Sequence, residues 1–374
     1  MQYEYTATCL FGLEKFLGEE IDALGYERTG TMDGRVFFRG DESAAARCNI
    51  GMRFAERLYL TLGSFGAPTF DALFEGTKAL PWEAFIGRTD AFPVKGHSIK
   101  SALTSIPDCQ SIVKKAIVER LKASYRINWF EETGLIYQVE FFIFNDRASL
   151  MIDLSGIPLH KRGYRPAAGA APLRETLAAA LCKIARPRED VLFRDPMCGS
   201  GTIPIEAALM MTNTAPGIMR SYSAESYPAF PTQLWKDARE EARANIKHDT
   251  EFRAVASDID PNCVKFARDN VRRAGMEKIV DVYAADALKI TTGGVRGTVV
   301  CNPPYGERLM TPSETEQLYR DMGKAFAGLG AWQIYVLTSH EGFERLYGRR
   351  ADKVRKLYNG MIKCNYYQFF KPKK

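Results

Sequence analysis

The 374-residue sequence is poor in the groups that hold metals or seal disulfides. Its four histidines, His97, His160, His248 and His340, stand isolated, so no zinc spacing exists and no metal is expected. Eight cysteines (Cys9, Cys48, Cys109, Cys182, Cys198, Cys263, Cys301 and Cys364) are scattered, with no C-x-x-C pair. That argues against a disulfide framework and for small buried residues in a reducing cytosol. No long uncharged apolar run is present, which excludes a membrane-spanning helix. Met1-Gln2-Tyr3-Glu4 has neither the basic nor the apolar region of a secretory leader. The expectation is a cytoplasmic protein with no metal and no membrane partner. Internal repeats and low-complexity stretches are also missing.

What remains is ordinary globular composition, 46% hydrophobic and 26% charged, in a chain long enough for two or three domains. A net charge of +6, from 51 basic and 45 acidic residues, is compatible with a polyanionic partner without requiring one. The first part reads as a compact α/β unit: a strand at Tyr3–Cys9, an amphipathic helix at Gly12–Leu24 ended by Gly25, a strand at Arg35–Phe38, a helix at Glu42–Met52 and a strand at Arg57–Leu62. A second unit, from about Phe70 to Leu154, holds a helix at Ser111–Ser124. Its apolar stripe is Ile112, Ala116, Ile117 and Leu121; Lys114, Lys115 and Lys122 lie on other faces and Arg126 just beyond. Two strands, Ile136–Phe144 and Ala148–Asp153, close that unit. A basic-aromatic cluster, His160 to Pro166, marks a linker at about 155–169. Strands and helices then alternate, which predicts a doubly wound parallel sheet, and Asn359-Gly360 predicts a terminal hairpin with an antiparallel edge.

The chemistry is concentrated at predicted strand ends. The first strand of the alternating half runs into Asp195-Pro196-Met197-Cys198-Gly199-Ser200-Gly201-Thr202. Gly199 and Gly201 would let a ligand approach the backbone where strand becomes helix. A dinucleotide fingerprint also wants glycine three residues after Gly201, but Pro204 stands there, which argues against a dehydrogenase. Asp195 would repel a diphosphate; it favours a cationic head such as the ammonium and sulfonium of S-adenosylmethionine. The turn therefore offers Asp195, Met197, Cys198, Gly199, Ser200 and Gly201 as cofactor candidates. Asp258, with Ile259 beside it, ends the second strand, where an acid accepts from ribose hydroxyls. Asp286 follows the third and can accept from an adenine amino group. Asp260, before Pro261, suits a helix cap. Any one of these acids could be only a cap or a solvated group; the argument lies in the combination.

Asn302-Pro303-Pro304-Tyr305 follows the strand Thr298–Cys301. Two prolines cannot extend a helix or sit in a central strand, so a rigid loop begins there. It offers one amide side chain, carbonyls with no competing N–H and one aromatic face. That set suits an exocyclic amino group on a flat ring: oxygens accept from the NH₂ and the tyrosine stacks. A plain proline-rich loop stop is the alternative. Asn302, Pro303, Pro304 and Tyr305 are the catalytic candidates, and Asn302 also belongs to the cofactor set.

The order D-P-M-C-G-S-G-T, S-D-I-D-P, A-D-A, C-N-P-P-Y-G-E-R, preceded by Leu154-Ser155-Gly156, Leu159 to Arg165 and Ala171 to Ala180, resembles the THUMP-domain RNA methyltransferases. Within them it is similar to the bacterial enzymes that form N2-methylguanine in large-subunit ribosomal RNA. The resemblance implies an α/β fold: a Rossmann-like methyltransferase sheet, mostly parallel with a C-terminal antiparallel hairpin, preceded by ferredoxin-like and THUMP α+β units. It implies domains at 1–66 (ferredoxin-like), 67–155 (THUMP, RNA-binding) and 156–374 (methyltransferase). It further implies methyl transfer from S-adenosyl-L-methionine, leaving S-adenosylhomocysteine, to a base amino group in RNA, with ribosomal RNA as partner. Lys114, Lys115, Lys122 and Arg126 of the helix, and Lys161, Arg162 and Arg165 of the linker, are the expected RNA contacts. Adenine N6 methylation of RNA or DNA, and a non-catalytic RNA-binding protein, are the alternatives.

Overall fold

The computed structural model describes residues 2–166, 173–305 and 311–370. They form two compact units: the chain up to Thr8 with Leu17–Leu159 and Ser221–Glu240, and Cys9–Phe16 with His160–Arg220 and the chain from Glu241 onward. In chain order the elements are β1 (Tyr3–Cys9), α1 (Glu14–Ala23), β2 (Glu27–Met32), β3 (Arg35–Gly40), α2 (Ser43–Gly51), β4 (Ala55–Gly66), α3 (Phe70–Lys78), β5 (Val94–Ile99), α4 (Ile106–Tyr125), β6 (Val139–Phe144) and β7 (Arg147–Asp153). There follow α5 (Glu175–Ala185), β8 (Leu192–Asp195), α6 (Thr202–Met211), α7 (Thr232–Ala244), β9 (Ala254–Asp258), α8 (Pro261–Arg273), β10 (Val280–Ala284), β11 (Gly297–Cys301), α9 (Pro312–Ala327), β12 (Gln333–Thr338), α10 (Phe343–Tyr347), β13 (Lys353–Asn359) and β14 (Ile362–Phe369).

The first unit is built on one seven-stranded sheet, ordered β2-β3-β1-β4-β7-β6-β5. The two N-terminal modules expected from the sequence thus share one sheet, joined where β4 pairs antiparallel with β7. β2 was not expected. Its sequence, Glu-Arg-Thr-Gly-Thr-Met, carries no apolar alternation and is mostly exposed, with a register shift between Arg28 and Gly30. Such a polar, irregular strand suits a sheet edge.

The second unit carries a sheet ordered β10-β9-β8-β11-β12-β14-β13. The five strands from β10 to β12 are parallel; β14 and β13 add the expected antiparallel hairpin. β11 is buried at every position, as a parallel strand covered on both faces must be. The chain moves from β8 outward through β9 and β10, then returns to β11 on the other side of β8. The strand order therefore reverses between β8 and β11, the position at which open α/β sheets bind ligands outside the carboxyl ends of their strands. Asp195 ends β8 and Cys301 ends β11, so the two motifs singled out in the sequence emerge side by side. The start of the expected helix at Pro172, and Gly306 to Arg308 of the last motif, lie outside the described residues.

Candidate active site

Asp195 is 1% exposed, and among the described residues no cation pairs with it. Its Oδ1 accepts from the Met197 backbone N–H at 3.2 Å. Burial pushes the carboxyl well above the ordinary carboxylate range, and nearby Asp258 adds to the rise, against the Met197 bond. After it the chain turns through Gly199 and Gly201, both at positive φ (+53° and +79°). A Cβ on Gly199 would meet nothing within 4 Å, so that face of the turn is open. Gly201 differs: a Cβ there would lie 3.2 Å from the Ala267 Cβ of α8. The clearance expected for a ligand at Gly201 is thus taken up by the protein's own helix, a correction to the sequence reading. Asn270 Nδ2 donates to the Ser200 carbonyl at 2.9 Å and ties the turn to the same helix.

Asp258 is a clamp. One of its oxygens accepts from the Gly199 N–H at 2.9 Å and the other from the Asp260 N–H at 3.0 Å. It therefore holds the β8 turn against the end of β9. Asp260 caps α8, accepting from the Asn262 N–H at 2.8 Å, as expected. Ile259, between them, is 73% exposed, an apolar side chain facing solvent at the strand end. Asp286 Oδ1 accepts from the Leu288 N–H at 2.9 Å. Cys198 and Cys301 are buried, and burial raises both thiols far above the ordinary range, which suits packing residues rather than nucleophiles.

On β11's side, Asn302 Oδ1 is buried and accepts no hydrogen bond from a described residue. Buried oxygens are seldom left so, and the exceptions need a reason. The Pro304 carbonyl is occupied: the Tyr319 hydroxyl of α9 donates to it at 3.1 Å. The Tyr305 hydroxyl accepts from Asn359 Nδ2 of the terminal hairpin at 2.9 Å. Burial raises the Tyr305 phenol well above its usual value, so it stays protonated. Tyr319, Thr338 and Asn359 carry no local sequence signal of a site: the tyrosine falls on an apolar helix stripe with Met322 and Phe326 and is buried with them.

The proposed RNA contacts divide sharply. Arg162 is 4% exposed beside Glu206, with its Nε 3.6 Å from Oε1. Arg165 pairs with Glu175 at 2.9 Å and donates to Thr202 Oγ1 and the Leu173 carbonyl. Both are structural arginines that brace α5 and α6, and neither offers its charge to a polyanion; this corrects the sequence reading. Lys161 remains exposed. In the first unit, Lys114 pairs with Glu132 at 2.7 Å and lies over Phe92, while Lys122 meets Glu119 at 3.4 Å. Lys115 and Arg126 are exposed.

An acid-ended turn and an amide-ended one thus lie side by side at the reversal point of a mostly parallel sheet, where open α/β sheets bind their ligands. Residues 162–368 match the RMKL-like methyltransferase domain, 4–59 the RlmL ferredoxin-like domain and 67–153 the THUMP domain; the chain belongs to the RMKL-like methyltransferase family. It is 46% identical over 371 residues to "Putative RNA methyltransferase YpsC" of Bacillus subtilis, covering 99% of this chain and 96% of that one. The crystal structure of a predicted N6-adenine-specific DNA methylase from Listeria monocytogenes is similar at 44% identity and a TM-score of 0.94, covering 100% and 97% of the two chains. That of SMU.472 complexed with SAH is similar at 37% identity and a TM-score of 0.93, covering 100% and 99%.

Proposed function

We propose that this protein transfers a methyl group from S-adenosylmethionine to the exocyclic amino group of a base in RNA, with guanine N2 of large-subunit ribosomal RNA as the target. The observation that carries the reading is the buried Asn302 Oδ1, which has no hydrogen-bond partner among the described residues. It is an acceptor for which no described residue supplies a donor.

The β8 side suits the cofactor on three counts. Asp195, buried without a described cation, gains from an ammonium or sulfonium nearby. The open face of Gly199 leaves room for a ligand against the backbone. Ile259 offers an apolar surface, and Asp258 and Asp286 retain lone pairs beyond those their backbone bonds use, enough for ribose hydroxyls and an adenine amino group. When bound, S-adenosylmethionine supplies an electrophilic methyl carbon on a good leaving group.

The protein's part is positioning. A base taken out of its stack lies against Tyr305. Asn302 Oδ1 and the Pro303 carbonyl accept from its amino group, which draws the nitrogen lone pair out of conjugation and aims it at the methyl. The methylated nitrogen then loses its extra proton to water, so no side chain need act as a strong base. The THUMP match favours RNA over DNA. Nucleoside mass spectrometry of ribosomal RNA from cells with and without the gene tests this: loss of N2-methylguanosine from the large subunit is expected. Loss of N6-methyladenosine instead moves the target to adenine, and an unchanged profile overturns the RNA reading.

A further inference from the structure

We infer that Tyr319 is a positioning residue for methyl transfer: its hydroxyl fixes the direction in which the Asn302–Tyr305 loop presents its acceptors. The inference rests on the reading of that loop as the grip on the base. Tyr319 is fully buried on α9, with its ring edge-on to Phe343 at 5.0 Å and to His340 at 5.6 Å. Its hydroxyl donates to the Pro304 carbonyl and lies 2.8 Å from Thr338 Oγ1, which accepts from the His340 backbone N–H at 3.1 Å.

The proton count gives this chain one direction. A carbonyl can only accept, so the Tyr319 proton goes to Pro304. Thr338 must then donate to Tyr319, and its own acceptor site is filled by the His340 N–H. The sequence runs from backbone N–H to threonine to tyrosine to carbonyl, with every proton assigned. It ties the loop after β11 to the carboxyl end of the neighbouring strand β12. Asn359 makes the second tie one residue on, at Tyr305.

The consequence falls on the acceptors left over. The loop offers three oxygens near the proposed base: Asn302 Oδ1, the Pro303 carbonyl and the Pro304 carbonyl. Tyr319 occupies one of the two lone pairs of the third and leaves it the weaker competitor. It also prevents the dipeptide from rotating, since Pro304 has no N–H through which another group could hold it. An amino group then meets two acceptors in one fixed orientation, which is the condition for a lone pair aimed at a methyl carbon.

The test uses the full chain, tritiated S-adenosylmethionine and total RNA from cells lacking the gene. Tyr319→Phe keeps the ring and removes one oxygen. It is expected to lower kcat roughly 10- to 100-fold, the scale of a small misplacement, with KM and cofactor affinity nearly unchanged. Thr338→Ser, which keeps the hydroxyl, is expected to retain activity. Assayed well below its melting temperature, where the variant stays folded, Tyr319→Phe should keep that deficit in kcat. If kcat is restored there, or if Tyr319→Phe turns over normally while Asn302→Ala is inactive, the tyrosine is merely structural and the inference fails. If Asn302→Ala also turns over normally, or the unmodified protein transfers no methyl to that RNA, the underlying reading fails and takes this inference with it.

Discussion

The two loops that meet at the centre of the second unit are held in opposite ways. The turn after β8 is shaped from within, by two glycines at positive φ and by Asp258 gripping its backbone, and it leaves Asp195 desolvated without a described cation. The loop after β11 is shaped from outside, by a tyrosine on α9 and an asparagine on the terminal hairpin, and it leaves Asn302 Oδ1 without a described donor. One unmet requirement among the described residues is electrostatic and the other is a hydrogen bond. A charge acts in any orientation and suits binding, whereas an acceptor acts only along its lone pairs and suits alignment. On the proposed function, the difference assigns affinity to the first loop and rate to the second.

The sharpest way to break this division is Asn302→Ala. It should lower kcat roughly 10²- to 10³-fold, about 3–4 kcal/mol, the scale of deleting a transition-state hydrogen-bonding group, while calorimetry shows cofactor binding intact. A variant that loses binding instead would put both loops on the cofactor.

Asp195→Asn should do the converse, weakening the cofactor by about 1.5–3 kcal/mol. It should also stabilise the ligand-free protein at neutral pH. Burial raises the Asp195 carboxyl in the folded state above its unfolded value, so folding is not penalised at low pH, and stability is lost as pH rises through the raised value. The melting-temperature gain of the variant should therefore be largest near neutrality and vanish toward the ordinary aspartate range. A gain independent of pH would show that the carboxyl is not the source.

A smaller effect separates the paired acids. Asp258→Ala frees the Gly199 N–H and should weaken cofactor binding by roughly 1.5 kcal/mol. Asp260→Ala removes a helix cap and should cost about 1 kcal/mol of stability with affinity kept. The reverse pattern, read by calorimetry and thermal melts, would exchange their roles.

The smallest expected change lies outside both loops. Neutralising Lys115 and Arg126 together should leave kcat and cofactor affinity alone. It should flatten the salt dependence of RNA binding by about two phosphate contacts, roughly 1.4 to 1.8 in log–log slope. An unchanged slope would leave these charges only a solvating role.

Much of the second unit was legible because its signals are local. Gly199, Gly201, Asp258 and the two prolines each constrain the backbone within a few positions, and the alternation of apolar strands with amphipathic helices gives the sheet. What escaped was contact between distant residues. Arg162 and Arg165, set among aromatics and glycine, read as a solvent-facing basic cluster, yet their acids Glu206 and Glu175 lie on α6 and α5. A usable signal was present: Glu206 interrupts an otherwise apolar run, Ile203 to Met211, and a buried acid demands a partner. Tyr319 escaped for the opposite reason. Its ring fits the core stripe so well that nothing in the pattern betrays what its oxygen does. β2 escaped because a strand at a sheet's rim need carry no apolar alternation.

The sheet of the first unit bears on where this chain can be cut. The ferredoxin-like match ends at residue 59 and the THUMP match begins at 67, so the boundary between them falls within or just after β4. That strand supplies Tyr59 to Gly66 as the partner of β7, whose Leu150, Met151 and Ile152 are buried. Two modules of ancestry are thus one piece of mechanics, with the earlier module donating the strand that completes the later one. A fragment beginning at 67 would be born with seven residues of bare, greasy strand edge, and such an edge recruits whatever strand is at hand, another copy of itself included.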